Sequence, residues 1–188
     1  GGSVWLAPER TSPYQFRQFW IQTDDSMIAT YLRMLSLQPL PEIEALLAQQ
    51  LESPERRTAQ RALADQLTEL VHGSREAAAA AEAATVLFGS DPTTASAEAL
   101  DVVAAEVPSV VLPADIDGVR VHEFLIEAGV AKSGGEVNRL LGQGAVRAGN
   151  RVLDEGGLLR ASDLLSGHFL LLRKGKRDFV AGKLSPRG

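Results

Sequence analysis

The feature that most constrains the fold is a change of pattern around a stretch of small and polar residues, Ser90–Ala99 (SDPTTASAEA). Before this stretch, apolar residues recur every three or four positions, which is the period of an amphipathic helix. After it, from Val121 onward, helix-like and strand-like patterns alternate. Because the stretch itself has few bulky apolar residues, its composition is typical of a linker. The sequence therefore predicts two domains of different class.

Capping residues and prolines divide the first ninety residues into a series of helices. Ser12 can cap a helix that has Pro13 in its first turn, and Asp24 can cap the next one. A proline-containing break precedes a third helix, a longer one covers Arg56–His72 before Gly73, and an Ala-rich one covers Ser74–Leu87. The sequence predicts a mainly α first domain, a helical bundle.

The second half predicts a small α+β domain with two helices and a short sheet. The helices are expected over Val121–Ala128 and Gly134–Gln143, and two strands flank the turn at Gly149-Asn150. The predicted boundaries are residues 1–89 for the helical domain, with 1–11 as an entering loop, 90–109 for the linker and 110–184 for the α+β domain. Residues 95–106 within the linker are compatible with one further helix.

Charge is distributed unevenly along the chain. The formal net charge is −5, but residues 1–114 carry 7 basic and 15 acidic side chains, whereas residues 115–188 carry 12 basic and 9 acidic ones. Phosphate binding requires clustered lysines and arginines. The imbalance favours a C-terminal half that faces a nucleic acid, in particular RNA.

Several classes of function are not supported by the residues present. The chain has no cysteine, so disulfide frameworks and thiolate metal sites are excluded. Its histidines, His72, His122 and His168, are far apart in the sequence and predict no metal site, and no serine lies in a nucleophile motif. No apolar run reaches the roughly 18 residues of a membrane span, and no leader is recognisable. We expect a cytoplasmic protein with no catalytic residues and no metal.

The segment Val119–Val152 resembles the alpha-L RNA-binding motif shared by many tRNA- and rRNA-binding proteins. The resemblance is carried by Glu127-Ala128-Gly129-Val130, Lys132-Ser133, Asn138-Arg139-Leu140-Leu141 and Gln143-Gly144-Ala145-Val146-Arg147. A helix N-terminus with flanking cations would offer free N–H groups and positive potential to phosphates. The resulting candidates for RNA contact are Lys132, Ser133, Arg139, Arg147 and Arg151.

Two further basic clusters are candidates for RNA contact. One is the loop RKGKR, with Arg173, Lys174 and Lys176 as phosphate contacts. The other is the basic face of the long helix in the first domain, formed by Arg56, Arg57 and Arg61. For each cluster, a merely solvated charged surface is the alternative interpretation.

The first half resembles bacterial tyrosyl-tRNA synthetases. The resemblance rests on TSPYQFRQFW at residues 11–20, on Val71-His72-Gly73, and on Leu87-Phe88-Gly89. With the alpha-L motif it covers residues 4–182 in the domain order of that family. It implies an anticodon-binding helical domain, a linker and a terminal RNA-binding domain, all serving tRNA for tyrosine.

The same resemblance implies which parts are absent. The family activates tyrosine in a Rossmann-like domain, which also binds ATP and Mg²⁺, and the signatures of that domain are not found in this sequence. The chain alone is therefore expected to be inactive, to bind no cofactor and to be a monomer, whereas the parent protein would be a class I synthetase that dimerises through its catalytic domain. A free-standing RNA-binding protein built from the same domains is the alternative.

Overall fold

A computed structural model of the chain describes residues 4–154, 156–175 and 178–185. The chain forms two compact units, Gly1–Ala81 and Glu82–Gly188. The division lies inside the helix Ser74–Leu87, upstream of the predicted linker.

The first unit is helical, as the apolar spacing predicts. Within the described residues its helices are α1 (Pro13–Ile21), α2 (Asp25–Leu35), α3 (Leu40–Glu52), α4 (Thr58–His72) and the first part of α5 (Ser74–Leu87). Two of the predicted caps form hydrogen bonds. The Ser12 hydroxyl accepts from the Gln15 amide at 3.1 Å, and the Asp24 carboxylate accepts from the Ser26 amide at 2.8 Å.

The core of the first unit forms where α1, α2 and α3 pack on α4. It consists of Phe16, Ile28, Leu32, Ile43, Ala59, Leu63 and Leu67. The aromatic residues of α1 belong largely to this core, since Phe16 is buried and Trp20 packs edge-to-face against Tyr31. Phe19 is the more exposed of them, at 39%. Core packing therefore explains the positions of Phe16 and Trp20.

The second unit is an α+β domain built on a mixed sheet. After α5 it contains α6 (Ala97–Glu106), β1 (Ser109–Leu112), α7 (Val121–Glu127), α8 (Gly134–Gly142), β2 (Val146–Ala148), β3 (Arg151–Val152), β4 (Leu164–Leu165), β5 (Phe169–Lys174) and β6 (Asp178–Leu184). The strand order is β1-β6-β5-β2-β3, and β4 pairs with β5. β1 and β6 are parallel, and the other pairs are antiparallel. The predicted fold class is confirmed.

Both faces of the sheet are buried around β5. Leu170 and Leu172 belong to the core that also contains the apolar residues of α7 and α8. Leu171 points to the opposite face, since side chains alternate along a strand, yet it is only 1% exposed. The FLLL run of β5 is therefore apolar at consecutive positions because it is covered on both sides.

The segment predicted as a linker, residues 90–109, contains helix α6. Ala99, Leu100, Val103 and Ala104 of this helix are buried. α6 contacts β6, and the Lys183 ammonium binds the Asp101 carboxylate at 2.8 Å. Much of this segment is therefore packed structure of the second unit, because its small side chains allow close packing although they resemble linker composition.

We expect Gly182→Ala to destabilise the second unit. A Cβ at this position of β6 would lie 2.8 Å from Leu112 Cδ1 and 2.9 Å from Leu112 Cγ, and overpacking of this kind costs about 1–3 kcal/mol. Gly135→Ala in the first turn of α8 is the matched control, since a Cβ there meets nothing within 4 Å. Urea denaturation followed by far-UV circular dichroism should show a lower midpoint for Gly182→Ala only, and equal midpoints would contradict this packing.

We expect the first unit to lose stability on acidification through His72. Burial lowers the pKa of His72, partly opposed by Glu76, and its ring packs edge-to-face on Phe16 at 5.1 Å. Because the folded state favours the neutral ring, this contribution to stability is present above the unfolded pKa of about 6.5 and is lost as the pH falls below it. Tryptophan fluorescence reports on this unit, since Trp5 and Trp20 both lie in it. His72→Gln should have a smaller difference in urea midpoint between pH 7.5 and pH 5.5 than the unaltered chain, and an unchanged difference would refute the assignment.

Candidate RNA-binding surface

The turn between α7 and α8 is fixed by a reciprocal cap. The Ser133 hydroxyl accepts from the Glu136 amide at 3.3 Å, and the Glu136 carboxylate accepts from the Lys132 amide at 2.9 Å. The bond from the Lys132 amide is the main reason that the pKa of Glu136 is lowered, with a further contribution from Lys174. Ser133 therefore has a capping role within the fold, while the side chain of Lys132 remains exposed.

Lys174 ties β5 to this turn. Its ammonium donates to the Val130 carbonyl oxygen at 2.9 Å and lies 3.6 Å from a carboxylate oxygen of Glu136. The ammonium has three N–H donors, so these two interactions occupy most of its capacity. Lys174 is a candidate phosphate contact in the sequence, but in the structure it also holds the second unit together.

Arg151 forms a bidentate ion pair with a buried carboxylate. Its Nε donates to Asp163 Oδ1 at 2.7 Å and its Nη2 to Asp163 Oδ2 at 2.5 Å, while Nη2 also donates to the Leu158 carbonyl oxygen at 3.1 Å. Asp163 has a side chain only 2% exposed, and hydrogen bonding to it raises the pKa of Arg151. Most of the donors of Arg151 are therefore directed into the protein.

Arg147 and Arg173 are brought together by the sheet. They are directly opposite each other on the antiparallel strands β2 and β5, so their side chains project from the same face. Both are half-buried. The one side-chain bond of Arg147 among the described residues is long, 3.4 Å to the Asn150 carbonyl oxygen. The register thus concentrates two positive charges that have weak internal partners.

Arg139 is exposed near the end of α8. Its Nη1 is 3.4 Å from Gln143 Oε1, which is a weak contact. Of the sequence candidates that the structure describes in the second unit, four retain donors for an external anion: Lys132, Arg139, Arg147 and Arg173. Lys176 lies outside the described residues.

The three arginines predicted to form a basic face in the first unit also differ in whether their donors are used inside the fold. Arg57 has a left-handed backbone, with φ 51°, and its guanidinium donates to the carbonyl oxygens of Ile21 and Thr23 at 2.8–3.2 Å. It thereby caps the end of α1. The side chains of Arg56 and Arg61 are exposed, and neither side chain forms a hydrogen bond or an ion pair within the described residues.

Sequence reasoning missed the acceptors that occupy these cations. Asp163 was not identified as the partner of Arg151, and Glu136 was not identified as the partner of Lys174. The spacing of Ser133 and Glu136 is a capping-box pattern, which signals the bond of Glu136 to its own turn but not its contact with Lys174. For Asp163 no local signal exists, because it is twelve residues from Arg151 in a different turn.

Within residues 4–154, 156–175 and 178–185, no three His, Asp or Glu side chains are grouped so that they could hold a metal ion. No helix in the described part of the chain is both long enough and apolar enough to span a bilayer.

We expect the two arginines on adjacent strands, Arg151 and Arg147, to differ in their effect on stability. Arg151→Met leaves the buried Asp163 carboxylate unpaired and should cost about 3–5 kcal/mol of unfolding free energy. Arg147→Met removes a like charge opposite Arg173 and should change stability by less than about 1 kcal/mol, in the stabilising direction. Chemical denaturation followed by far-UV circular dichroism measures the unfolding free energy of each variant. Similar losses of unfolding free energy for both variants would show that the ion pair of Arg151 does not stabilise the fold more than Arg147 does.

Comparisons with known proteins match consecutive parts of the chain. A family profile described as tRNA synthetases class I (W and Y) matches residues 1–89. A second one, described as the tyrosine–tRNA ligase SYY-like C-terminal domain, matches residues 99–181. The two matches together include most of both structural units.

Individual relatives match nearly the whole chain. The tyrosine–tRNA ligase of Anaeromyxobacter dehalogenans is 41% identical over 187 residues, covering 98% of this chain and 44% of the relative. The enzyme of that name from Kineococcus radiotolerans is 41% identical, covering 96% and 43%, and that from Bacillus caldotenax is 37% identical, covering 95% and 42%. The chain spans less than half the length of these relatives. It belongs to the tyrosine–tRNA ligase family, and its second unit is the C-terminal domain of that family.

Proposed function

We propose that this chain binds tRNA for tyrosine and positions it for a tyrosine–tRNA ligase. Family membership supports this proposal, since the relatives that match 95–98% of the chain are tyrosine–tRNA ligases. The structural observation that carries it is the set of four cations with unused donors in the second unit, Lys132, Arg139, Arg147 and Arg173. Cations of this kind can neutralise phosphates and release the counterions condensed on RNA.

In this proposal the second unit grips the RNA backbone, and the first unit makes an additional contact. Arg56 and Arg61 are suited to that contact because they are exposed and not used inside the fold. Phosphate contacts fix register and orientation but carry little sequence information. Recognition of the tyrosine tRNA in particular would therefore depend on base contacts made in addition to these cations.

The chemistry of the ligase is assigned to a part of the protein outside this chain. The proposal places the binding of tyrosine, ATP and Mg²⁺ in a catalytic domain and expects this chain to hold no cofactor. It also places the protein in the cytoplasm. The chain by itself is expected to be a monomer, with dimerisation of the parent enzyme through the catalytic domain.

The direct test is the binding of the purified chain to tRNA for tyrosine and to a non-cognate tRNA over a series of salt concentrations. We expect tighter binding of the cognate tRNA and an association constant that falls with salt. Each phosphate contact contributes about 0.7–0.9 to the slope of log K against log salt. The double variant Arg139→Gln/Arg147→Gln should therefore lower the slope by roughly 1.4–1.8 units.

Arg120→Gln is the matched control for this experiment. Arg120 is an exposed arginine of the second unit whose partner is a surface ion pair with Glu123 at 3.7 Å, and it is not one of the four proposed contacts. Its removal should leave the slope within error. A slope that falls equally for the control and the double variant would indicate unspecific charge attraction, and absence of tRNA binding by the unaltered chain would refute the proposal.

A further inference from the structure

The first unit has an open groove between the end of α2 and the second half of α4. Its apolar walls are formed by Leu35, Leu37, Leu67 and Leu70, and its volume is about 280 Å³. Two of these leucines are mainly exposed, Leu37 at 82% and Leu70 at 59%. Single apolar side chains on a surface are common, but apolar side chains gathered around a concave surface are typical of a protein-interaction site.

The loop that carries Leu37 is fixed to α4 by hydrogen bonds of the neighbouring residues. The Ser36 hydroxyl donates to Gln66 Oε1 at 2.6 Å and accepts from the Gln38 amide at 3.1 Å. Because the loop is already ordered, a partner that covers Leu37 does not have to order it. This lowers the entropic cost of binding at the groove.

The groove lies at the end of the first unit where the chain enters α1. Its α4 wall, Gln66–Leu70, belongs to the last two turns of that helix. The final residue of α4, His72, packs on Phe16 near the start of α1, with ring centroids 5.1 Å apart. The Trp5 amide donates to the Thr11 hydroxyl oxygen at 3.1 Å, which holds the segment ahead of α1 at the same end.

Glu69 is the charged residue of this groove. It is exposed, and its carboxylate forms no hydrogen bond or ion pair within the described residues. Complementary charges at the edge of an interface raise the rate of association and help to select the partner. The surface that fits the groove therefore combines apolar side chains with a lysine or an arginine.

The relatives contain a large part that is available to occupy the groove. The chain covers 42–44% of these relatives, and its residues 99–181 match a C-terminal domain. More than half of each relative therefore lies ahead of the matching part. A part attached next to α1 has a high effective concentration at this end of the first unit, because its binding is intramolecular. A second copy of the chain has no such advantage.

We propose that this groove is the docking surface for the N-terminal part of the ligase, which places apolar side chains between Leu37 and Leu70 and a cation beside Glu69. The inference rests on the proposed function, since that part is the one to which the binding of tyrosine and ATP is assigned. Docking of this kind gives the first unit a fixed orientation relative to the site of the chemistry. A tRNA held by this chain then reaches that site in one orientation.

The first test measures the accessibility of single cysteines, which is possible because this chain has none of its own. Leu37→Cys is compared with Leu51→Cys, a matched control because Leu51 is also 82% exposed and lies near the other end of α3. Each variant is labelled with a thiol reagent in the isolated chain and in the complete ligase, and mass spectrometry quantifies the modified peptide. We expect labelling of Leu37→Cys to be at least about tenfold slower in the complete ligase, since intramolecular docking keeps the groove covered for most of the time.

Labelling of Leu51→Cys should have the same rate in both proteins. Equal labelling of Leu37→Cys in the isolated chain and in the complete ligase would overturn the docking surface. Labelling of Leu37→Cys that slows in the isolated chain as the chain concentration rises would also overturn it, because a second copy would then be the occupant.

The second test introduces a charge into the groove of the complete ligase with Leu37→Asp, and Leu51→Asp is the control. We expect transfer of tyrosine to tRNA to fall at least about tenfold for Leu37→Asp, because a carboxylate among apolar side chains opposes docking. Activation of tyrosine by ATP, which needs no tRNA, should stay near that of the unaltered ligase. Equal transfer by the two variants would count against the groove, and circular dichroism checks that both remain folded.

Binding of tRNA by the isolated chain separates the groove from the proposed function. Leu37 is not one of the proposed RNA contacts, so Leu37→Asp should leave the affinity of the isolated chain for tRNA unchanged. Protection of Leu37→Cys in the complete ligase, together with an isolated chain that does not bind tRNA, supports the groove and overturns the tRNA proposal. Binding of tRNA together with equal labelling of Leu37→Cys in both proteins overturns the groove and leaves the tRNA proposal standing.

Discussion

The second unit depends on the pairing of β5 with β6, which is buried on both faces around Leu170, Leu171 and Leu172. One face carries α7 and α8, and α6 packs against β6. A shift of β5 by one residue would move the charged Arg173 to the core position of Leu172, so the register of this strand is firmly fixed. That register places Arg173 opposite Arg147 and brings the Lys174 ammonium to Val130 and Glu136. The positions of the basic side chains are consequences of core packing.

Basic side chains that look equivalent in the sequence divide into two kinds in the structure. Arg57, Arg151 and Lys174 direct their donors to carbonyl oxygens or carboxylates of the protein itself. Others, such as Lys132 and Arg139, project into solvent with weak or no internal contacts among the described residues. A proposed RNA surface built from the second kind is smaller than the basic sequence clusters suggest, but each of its members is available to a phosphate without breaking the fold.

Much of the fold could be predicted because its signals are local. Ser12 and Asp24 cap the helices that they were expected to cap, and the change from helical to mixed patterns corresponds to a helical unit followed by an α+β unit. The segment around α6 was less predictable. Its composition resembles a linker, whereas the structure buries Ala99, Leu100, Val103 and Ala104 in the second unit, and that burial depends on contacts between residues distant in the chain. The family could be recognised for the same local reason, since the TSPYQFRQFW string at residues 11–20 is contiguous.

The sequence by itself determined the helical and mixed classes of the two units, the family, and which side chains carry positive charge, because periodicity, caps and motifs are properties of neighbouring residues. Only the tertiary structure decided which of those charges are free. Arg151 forms an ion pair with Asp163, which lies in a separate turn. Arg147 lies opposite the like-charged Arg173, on a strand paired across the sheet. Strand register and burial determine these neighbours, and both depend on contacts between residues distant in the chain.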